Sequence, residues 1–319
     1  MKDSYAREID YLRVSITDRC NLRCKYCMPD DMPFIPHDEI LRYEEILRLC
    51  KILAQLGIKT VRVTGGEPLM RKDCVELLRG LKATPGIENI ALTTNAVILK
   101  PHVQDLVDIG LRSLNISLDT LCPEGFKSLT GADKFDDVWD AIEEAAKAGL
   151  NIKINCVPIK NVNEDQIIPI ANIAKDYNVN VRFIELMPST VNSGIKGLSN
   201  EEVLEILKKE YNDLTTDGKT YGFGPARYYK SNGLKGSIGL ISALSHNFCD
   251  NCNRLRLTSE GFLQFCLHHH QGFDLRTLLR SGATDEEIKM VAQQSIHSKP
   301  KKHFLHTETN LNHMSRIGG

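Results

Sequence analysis

Six of the ten cysteines in this chain stand in two groups of three. Cys20, Cys24 and Cys27 fall within "RCNLRCKYC" at C-x3-C-x2-C spacing, and Cys249, Cys252 and Cys266 fall within "FCDNCNRLRLTSEGFLQFC" at C-x2-C-x13-C spacing. Thiolate is a soft donor that selects zinc, copper(I) or iron–sulfur centres. A structural zinc ion or a fully ligated cluster takes four protein ligands, so each group is one short. Each reads as a centre with an open position, able to bind and activate something else. Spacing alone keeps zinc open: His37 could complete the first group, and His246 or one of His268, His269 and His270 the second. Otherwise the histidine triplet reads as an exposed turn. The remaining Cys50, Cys74, Cys122 and Cys156 are scattered and read as small buried hydrophobes. The grouping favours metal over disulfides, in a reducing compartment.

Such chemistry needs loops held at one end of a rigid frame. Between residues 11 and 187 strand-like runs ("YLRVSIT", "TVRVT", "IENIALTTN", "SLNISLD", "NIKINCV", "VNVRFIELM") alternate with helical periodicity around 38–56, 72–82, 101–109, 135–148 and 164–176. Six such repeats predict parallel strands with helical crossovers, as a complete or partial barrel or as a doubly wound sheet. The first triad follows directly on the first strand. It therefore lies in a loop at that strand's C-terminal end, where barrel enzymes place their chemistry. After Met187 come the connector 188–200, a helix over 201–210, a hairpin turning at Asn232-Gly233, and a second hairpin within "NRLRLTSEGFLQFC". The chain divides accordingly into 1–198 and 199–319, the second part carrying the second triad.

A parallel strand covered on both faces reads as continuous apolar residues, and these strands do not. Successive residues face opposite ways, so each strand carries one polar row: Arg13, Ser15 and Thr17; Arg62 and Thr64; Thr93 and Asn95; Asn115, Ser117 and Asp119; Asn151, Lys153 and Asn155. Burying Arg62, Lys153 or Arg182 without a partner would cost several kcal/mol per charge. The rows are expected to line a wet cavity that receives an anion; a charge reaching solvent at a strand end is the alternative for any single strand. The formal net charge of −1 and pI of about 6.8 leave no basic excess for nucleic acid or an anionic membrane, so anion binding is local. Neither "MKDSYAREIDYL" nor any later stretch has the apolar run of a signal peptide or membrane span, and the cytoplasm is the expected location.

"CNLRCKYC", with an aromatic residue before its third cysteine, together with "TGGEP" at 64–68, resembles the radical S-adenosylmethionine superfamily. Over nearly its whole length the chain is further similar to the GTP 3′,8-cyclases of molybdenum cofactor biosynthesis. The motifs that carry this are "TDRCNLRCKYCMP", "TGGEPLMRKD", "LTTN", "NISLD", "VRFIELM", the second triad with "RLR" after Cys252, and the terminal "GG". The resemblance implies a partial (βα)6 TIM-type barrel with a smaller C-terminal α+β domain, and two [4Fe–4S] clusters. Cys20, Cys24 and Cys27 would hold the cluster that reduces S-adenosylmethionine, and Cys249, Cys252 and Cys266 the cluster that meets the guanine. It implies cofactor contacts at Tyr26, Gly66, Ser117 and Met187, and GTP contacts at Arg13, Arg62, Thr93, Lys153, Arg254 and Arg256. Arg182 would be a functional arginine of the "VRFIE" strand, and Gly318 and Gly319 would reach back toward the substrate. The product would be (8S)-3′,8-cyclo-7,8-dihydroguanosine 5′-triphosphate, passed to cyclic pyranopterin monophosphate synthase by a homodimeric enzyme. A radical peptide-modifying enzyme with an accessory cluster domain is the alternative. Two features depart from the family pattern: Ala96, where glycine is usual after "TTN", and a short connector at 188–200.

Overall fold

The computed structural model describes residues 1–28, 32–188, 191–219, 221–245, 248–267 and 269–302. Strands β1 (Tyr11–Ser15), β2 (Thr60–Thr64), β3 (Asn89–Thr94), β4 (Ser113–Ser117), β5 (Ile152–Cys156) and β6 (Asn180–Ile184) alternate with helices α1 (Tyr43–Gln55), α2 (Cys74–Ala83), α3 (Val103–Ile109), α4 (Pro123–Thr130), α5 (Phe135–Lys147) and α6 (Ile167–Asp176). The later part adds α7 (Asn200–Glu210), β7 (Thr215–Asp217), β8 (Arg227–Lys230), β9 (Ser237–Ile241), β10 (Arg254–Leu257), β11 (Phe262–Cys266), β12 (His269–Asp274), α8 (Leu275–Arg280) and α9 (Asp285–His297).

The six expected parallel strands are present in sequence order. The later strands do not build a sheet of their own: they extend this one at both edges, in the order β12-β11-β10-β1-β2-β3-β4-β5-β6-β9-β8-β7. β10 joins β1 and β9 joins β6, both in parallel, which widens the parallel set to eight strands. The frame curls, because residues on strands as far apart as β1, β4 and β6 (Tyr11, Asn115, Arg182) line a single cavity. On the opposite face Leu12, Val61, Leu92, Ile116, Ile154 and Val181 are fully buried with helical side chains such as Ile46, Leu78 and Ile170 in one apolar core. Burial at roughly 25 cal/mol per Å² of apolar surface makes this face the main source of stability.

Two local departures have physical causes. α1 begins at Tyr43, and residues 37–39 form only a single 3-10 turn. The Leu41 N–H is drawn to the Ser259 carbonyl at 2.8 Å, and the Arg42 N–H instead meets the Glu45 carboxylate at 2.7 Å as the helix cap. α4, not expected from periodicity, is short but marked by Pro123 at its first position and left-handed Gly131 just past its end. The histidine triplet is not a simple turn either: His269 pairs with Cys266 across the β11–β12 hairpin.

Candidate active site

The first triad occupies the loop after β1. The Arg23 and Lys25 N–H groups donate to the carbonyls of Thr130 (2.7 Å) and Leu129 (3.1 Å) at the end of α4. On the other side the loop after β2 closes on it, with the Gly66 N–H on the Thr17 carbonyl at 2.7 Å and the Glu67 N–H on the Arg19 carbonyl at 2.8 Å. A Cβ on Gly66 would run into the Arg19 carbonyl, so only glycine permits this approach. Glu67, fully buried, accepts from the Thr94 hydroxyl and the Asn95 N–H, each at 2.7 Å, and thereby ties the loop after β2 to the loop after β3. Burial pushes its carboxyl up to about 7. Asn95 in turn donates to Asn21 at 2.7 Å and to the Cys20 sulfur at 3.6 Å.

One chamber is lined by Cys20, Cys24, Cys27, Tyr26, Gly66 and Ser117 together with Met187. The Tyr26 hydroxyl donates to Asp119 at 2.6 Å, which fixes the ring between the second and third cysteines. Burial raises the Cys24 thiol well above its ordinary value and the Cys27 thiol to about 12, with no cation among the causes at either. Thr93, expected among the substrate contacts, lines this chamber instead, and its hydroxyl accepts from Arg62 at 3.3 Å.

A second chamber adjoins the first and shares Asn155, Ile184 and Met187 with it. Cys249, Cys252 and Cys266 stand on its wall, the first two across a 3-10 turn at 249–251 and the third at the end of β11. Arg13, Arg62, Lys153, Arg182, Arg254 and Arg256 all face into it. The strand register sharpens this: Arg13 is opposite Arg256 on one side and opposite Arg62 on the other, three cations in one row across β10, β1 and β2. Like charges directly opposite destabilise a sheet. Burial and neighbouring cations hold Arg13 well below the ordinary arginine range and lower Arg256 to about 10 and Lys153 to about 7. The Asn115 Oδ1 and Arg182 Nε atoms are buried there with no hydrogen-bond partner among the described residues.

Sequence reasoning passed over several residues in and behind this chamber. The Tyr11 hydroxyl accepts from Arg62 Nε at 2.6 Å, and Ser113 bridges Arg62 (3.4 Å) and Lys153 (3.0 Å). Arg62 also donates to the Leu92 carbonyl at 3.0 Å, so its guanidinium is largely engaged by the frame and acts on a ligand mainly as charge. Phe223, on the loop before β8, meets the Tyr11 ring at 6.2 Å between centroids. Period-2 alternation could have flagged Tyr11, two residues before Arg13. Phe223 carried no such signal. Gly318 and Gly319 lie outside the described residues, as do His246 and His268.

All six triad cysteines are free of disulfides. No three His, Cys, Asp or Glu side chains among the described residues form a group that could hold a single ion. The fit to multi-iron centres rests on the donors and walls: three thiols on each chamber wall, N–H donors directed at the Cys20 sulfur from Leu22 (3.4 Å) and Asn95, and a loop that excludes a side chain at Gly66.

These features define a class. Residues 14–174 match the Radical SAM superfamily model, and residues 179–305 match Molybdenum Cofactor Synthesis C. In overall fold the chain is similar to Streptococcus suis SuiB bound to S-adenosylmethionine, with TM-score 0.65, 18% identity, and coverage of 91% of this chain and 68% of that one. At that identity the likeness speaks for the fold alone. The chain is 46% identical over 324 residues to the GTP 3′,8-cyclase of Clostridium perfringens (strain 13 / Type A), and 45% over 327 to that of Heliobacterium modesticaldum, covering all of each. It is 40% identical over 306 residues to Molybdenum cofactor biosynthesis protein moc-5 of Caenorhabditis elegans, covering 95% of this chain and 51% of that protein. The chain belongs to the GTP 3′,8-cyclase family and is an enzyme of molybdenum cofactor biosynthesis that uses S-adenosylmethionine and iron–sulfur chemistry. The peptide-modifying alternative is not favoured. No helix among the described residues is long and apolar enough to cross a membrane.

Proposed function

We propose that this chain converts GTP to (8S)-3′,8-cyclo-7,8-dihydroguanosine 5′-triphosphate with two [4Fe–4S] clusters, one on each triad. The observation that carries the reading is the row Arg256, Arg13, Arg62 on adjacent strands beside Lys153 and Arg182, which a triphosphate would neutralise. Cys20, Cys24 and Cys27 would hold a cluster that, with S-adenosylmethionine bound beside it, would supply the one-electron chemistry directed at ribose C3′. Gly66 gives the cofactor close access to the backbone, Tyr26 and Asp119 keep the triad loop in place, and Ser117 and Met187 complete the cofactor wall. Arg13, Lys153, Arg254 and Arg256 hold the triphosphate by direct charge-assisted bonds. Arg62 contributes charge through its contacts to Tyr11 and Ser113, and Thr93 orients it from the cofactor side. Arg182 sits beside Asn155, which both chambers share, and so acts where the ribose would bridge them.

Residues 1–198 form the radical-generating partial barrel and contribute Arg13, Arg62, Lys153 and Arg182 to the substrate site, while residues 199–319 carry the second cluster, Arg254, Arg256 and the Gly-Gly tail. Gly318 and Gly319 complete the substrate site by offering backbone groups without side chains. Family resemblance supports a cytoplasmic homodimer that hands its product to cyclic pyranopterin monophosphate synthase. Anaerobic turnover with GTP and S-adenosylmethionine tests the reading, with deletion of Gly318 and Gly319 as its sharpest arm. Expected are cyclised nucleotide from the full chain and only uncoupled cofactor cleavage from the truncated one. Absence of the cyclic product from fully reconstituted full-length protein would defeat the reading.

A further inference from the structure

Both ends of the described chain converge behind the second triad. The N-terminal segment folds into a tight turn in which the Asp3 N–H donates to the Arg7 carbonyl at 3.1 Å, and Ala6 adopts the left-handed region (φ 63°) that a non-glycine residue enters only at a cost. The product of that turn is the placement of Arg7. Its side chain is buried, and every described bond it makes is to a carboxylate or a carbonyl. Nε donates to Asp3 at 2.6 Å, Nη1 to the Cys249 carbonyl at 2.8 Å and to the Lys301 carbonyl at 3.0 Å, and Nη2 to the Pro300 carbonyl at 2.7 Å. One planar fork thus joins residue 3, the first cysteine of the triad and the segment that follows α9.

Lys299 does the corresponding work for the other two cysteines. It is 3% exposed, and its ammonium donates to the carbonyl of Arg254, two residues after Cys252, at 2.9 Å and to the carbonyl of Phe265, the residue before Cys266. No carboxylate pairs with it among the described residues. A buried ammonium satisfied by carbonyls alone still lacks a countercharge, and three thiolates on a cluster would supply one. Asp3 already offsets Arg7, so Arg7 contributes geometry and Lys299 contributes field.

We propose that Arg7 and Lys299 are positioning residues of the second iron–sulfur centre. Arg7 fixes the backbone at Cys249, Lys299 fixes the backbones beside Cys252 and Cys266, and the Lys299 charge raises the reduction potential of that centre selectively. Net charge and hydrogen bonding around the ligating sulfurs are what set such potentials. The inference rests on the second triad holding a cluster.

The test uses full-length protein reconstituted anaerobically, as the parent and as Arg7→Ala, Arg7→Lys and Lys299→Met. Iron and sulfide are quantified, each centre is followed by electron paramagnetic resonance during redox titration, and uncoupled S-adenosylmethionine cleavage is measured. In Arg7→Ala, iron and sulfide are expected to fall by about half, the share of one of two clusters. The signal of the first centre and cofactor cleavage should persist. Arg7→Lys should retain more of the second centre than Arg7→Ala, and Lys299→Met should shift its potential to more negative values while leaving the first centre unmoved. Parent-like content and potential of the second centre in all three variants would overturn the proposal. Equal loss of both centres would overturn it too, since that is the mark of a general folding role. A parent that binds a single cluster would instead defeat the two-cluster reading, and the inference with it, before any variant is made.

Discussion

Around Cys20, Cys24 and Cys27 the buried ionisable neighbours include two carboxylates, Glu67 and Asp119, and burial raises both, Glu67 to about 7 and Asp119 to about 6. Around Cys249, Cys252 and Cys266 the charged neighbours that act on the Cys252 thiol are cations. Burial would raise the Cys252 thiol, yet Lys299, Arg254 and Arg7 bring it below its ordinary value. The same three-thiol motif is thus set in opposite fields within one continuous cavity system. S-adenosylmethionine carries a sulfonium and an ammonium and suits the acidic side; a nucleoside triphosphate suits the basic one. On the reading of one cluster per triad, the surrounding charges and not the cysteines distinguish the two sites.

The largest test of this division exchanges one cysteine on each side. Cys24→Ser should abolish cleavage of S-adenosylmethionine. Cys266→Ser should spare some uncoupled cleavage and eliminate cyclisation, as read by chromatography of the nucleoside products. Cyclisation at the parent rate in Cys266→Ser would erase the distinction between the triads.

A smaller effect is expected from the basic wall. Arg256→Ala should weaken GTP by about 1.5–3 kcal/mol, roughly tenfold to a hundredfold, and guanosine far less, because a charge-assisted contact to phosphate is lost. Calorimetry with both ligands checks this, and equal losses would remove Arg256 from phosphate recognition. Arg62→Ala should weaken GTP as well, with an added loss of thermal stability from its bonds to Tyr11, Ser113 and the Leu92 carbonyl.

Lys153 gives the comparison a pH dependence. Burial first, then Arg182 and Arg62, lowers it to about 7 in the ligand-free chain. A bound triphosphate favours the ammonium, so GTP binding should take up a proton and weaken as pH rises through 7, by at most about tenfold per pH unit. The stability of the ligand-free fold should move the other way. The unfolded chain binds this proton up to an ordinary lysine pKa, so between about 7 and 10 folding releases it and stability increases with pH. Calorimetry in buffers of different ionisation enthalpy reads the proton uptake, and Lys153→Met should remove it.

The smallest expected effect lies at Ala96, on the acidic side. Fully buried at φ 64°, it occupies the left-handed backbone that glycine enters freely. Relief of that strain and the greater freedom of an unfolded glycine nearly cancel, so Ala96→Gly should change stability by less than about 1 kcal/mol. A larger change in thermal unfolding would mean that the Ala96 methyl packs for a purpose the backbone does not reveal. The departure from family pattern therefore leaves the loop after β3 intact: the Ala96 N–H still meets the Thr94 hydroxyl at 3.0 Å.

Much of this was legible in the sequence because it is local. Cysteine spacing, the order of six βα units and the period-2 rows that carry Arg13, Arg62 and Lys153 inward depend on residues within a few positions of one another, where strand geometry alone fixes direction. The terminal pair Gly318 and Gly319 was legible only as a resemblance and lies outside the described residues. What the tertiary structure alone decided are the pairings across long separations. Arg256 comes into register with Arg13 because β10 docks against β1, some 240 residues earlier in the chain, and no local pattern encodes the partner of an edge strand. In the same way Thr93 faces the cofactor chamber while its hydroxyl accepts from Arg62 of the other, Tyr11 joins the arginine row, and Arg7 meets Cys249. Local pattern settles which groups are available and which way each strand turns them. The docking of β10 beside β1 and of β9 beside β6 decided which of those charges stand together, because the partner of an edge strand is set by tertiary packing and not by local pattern.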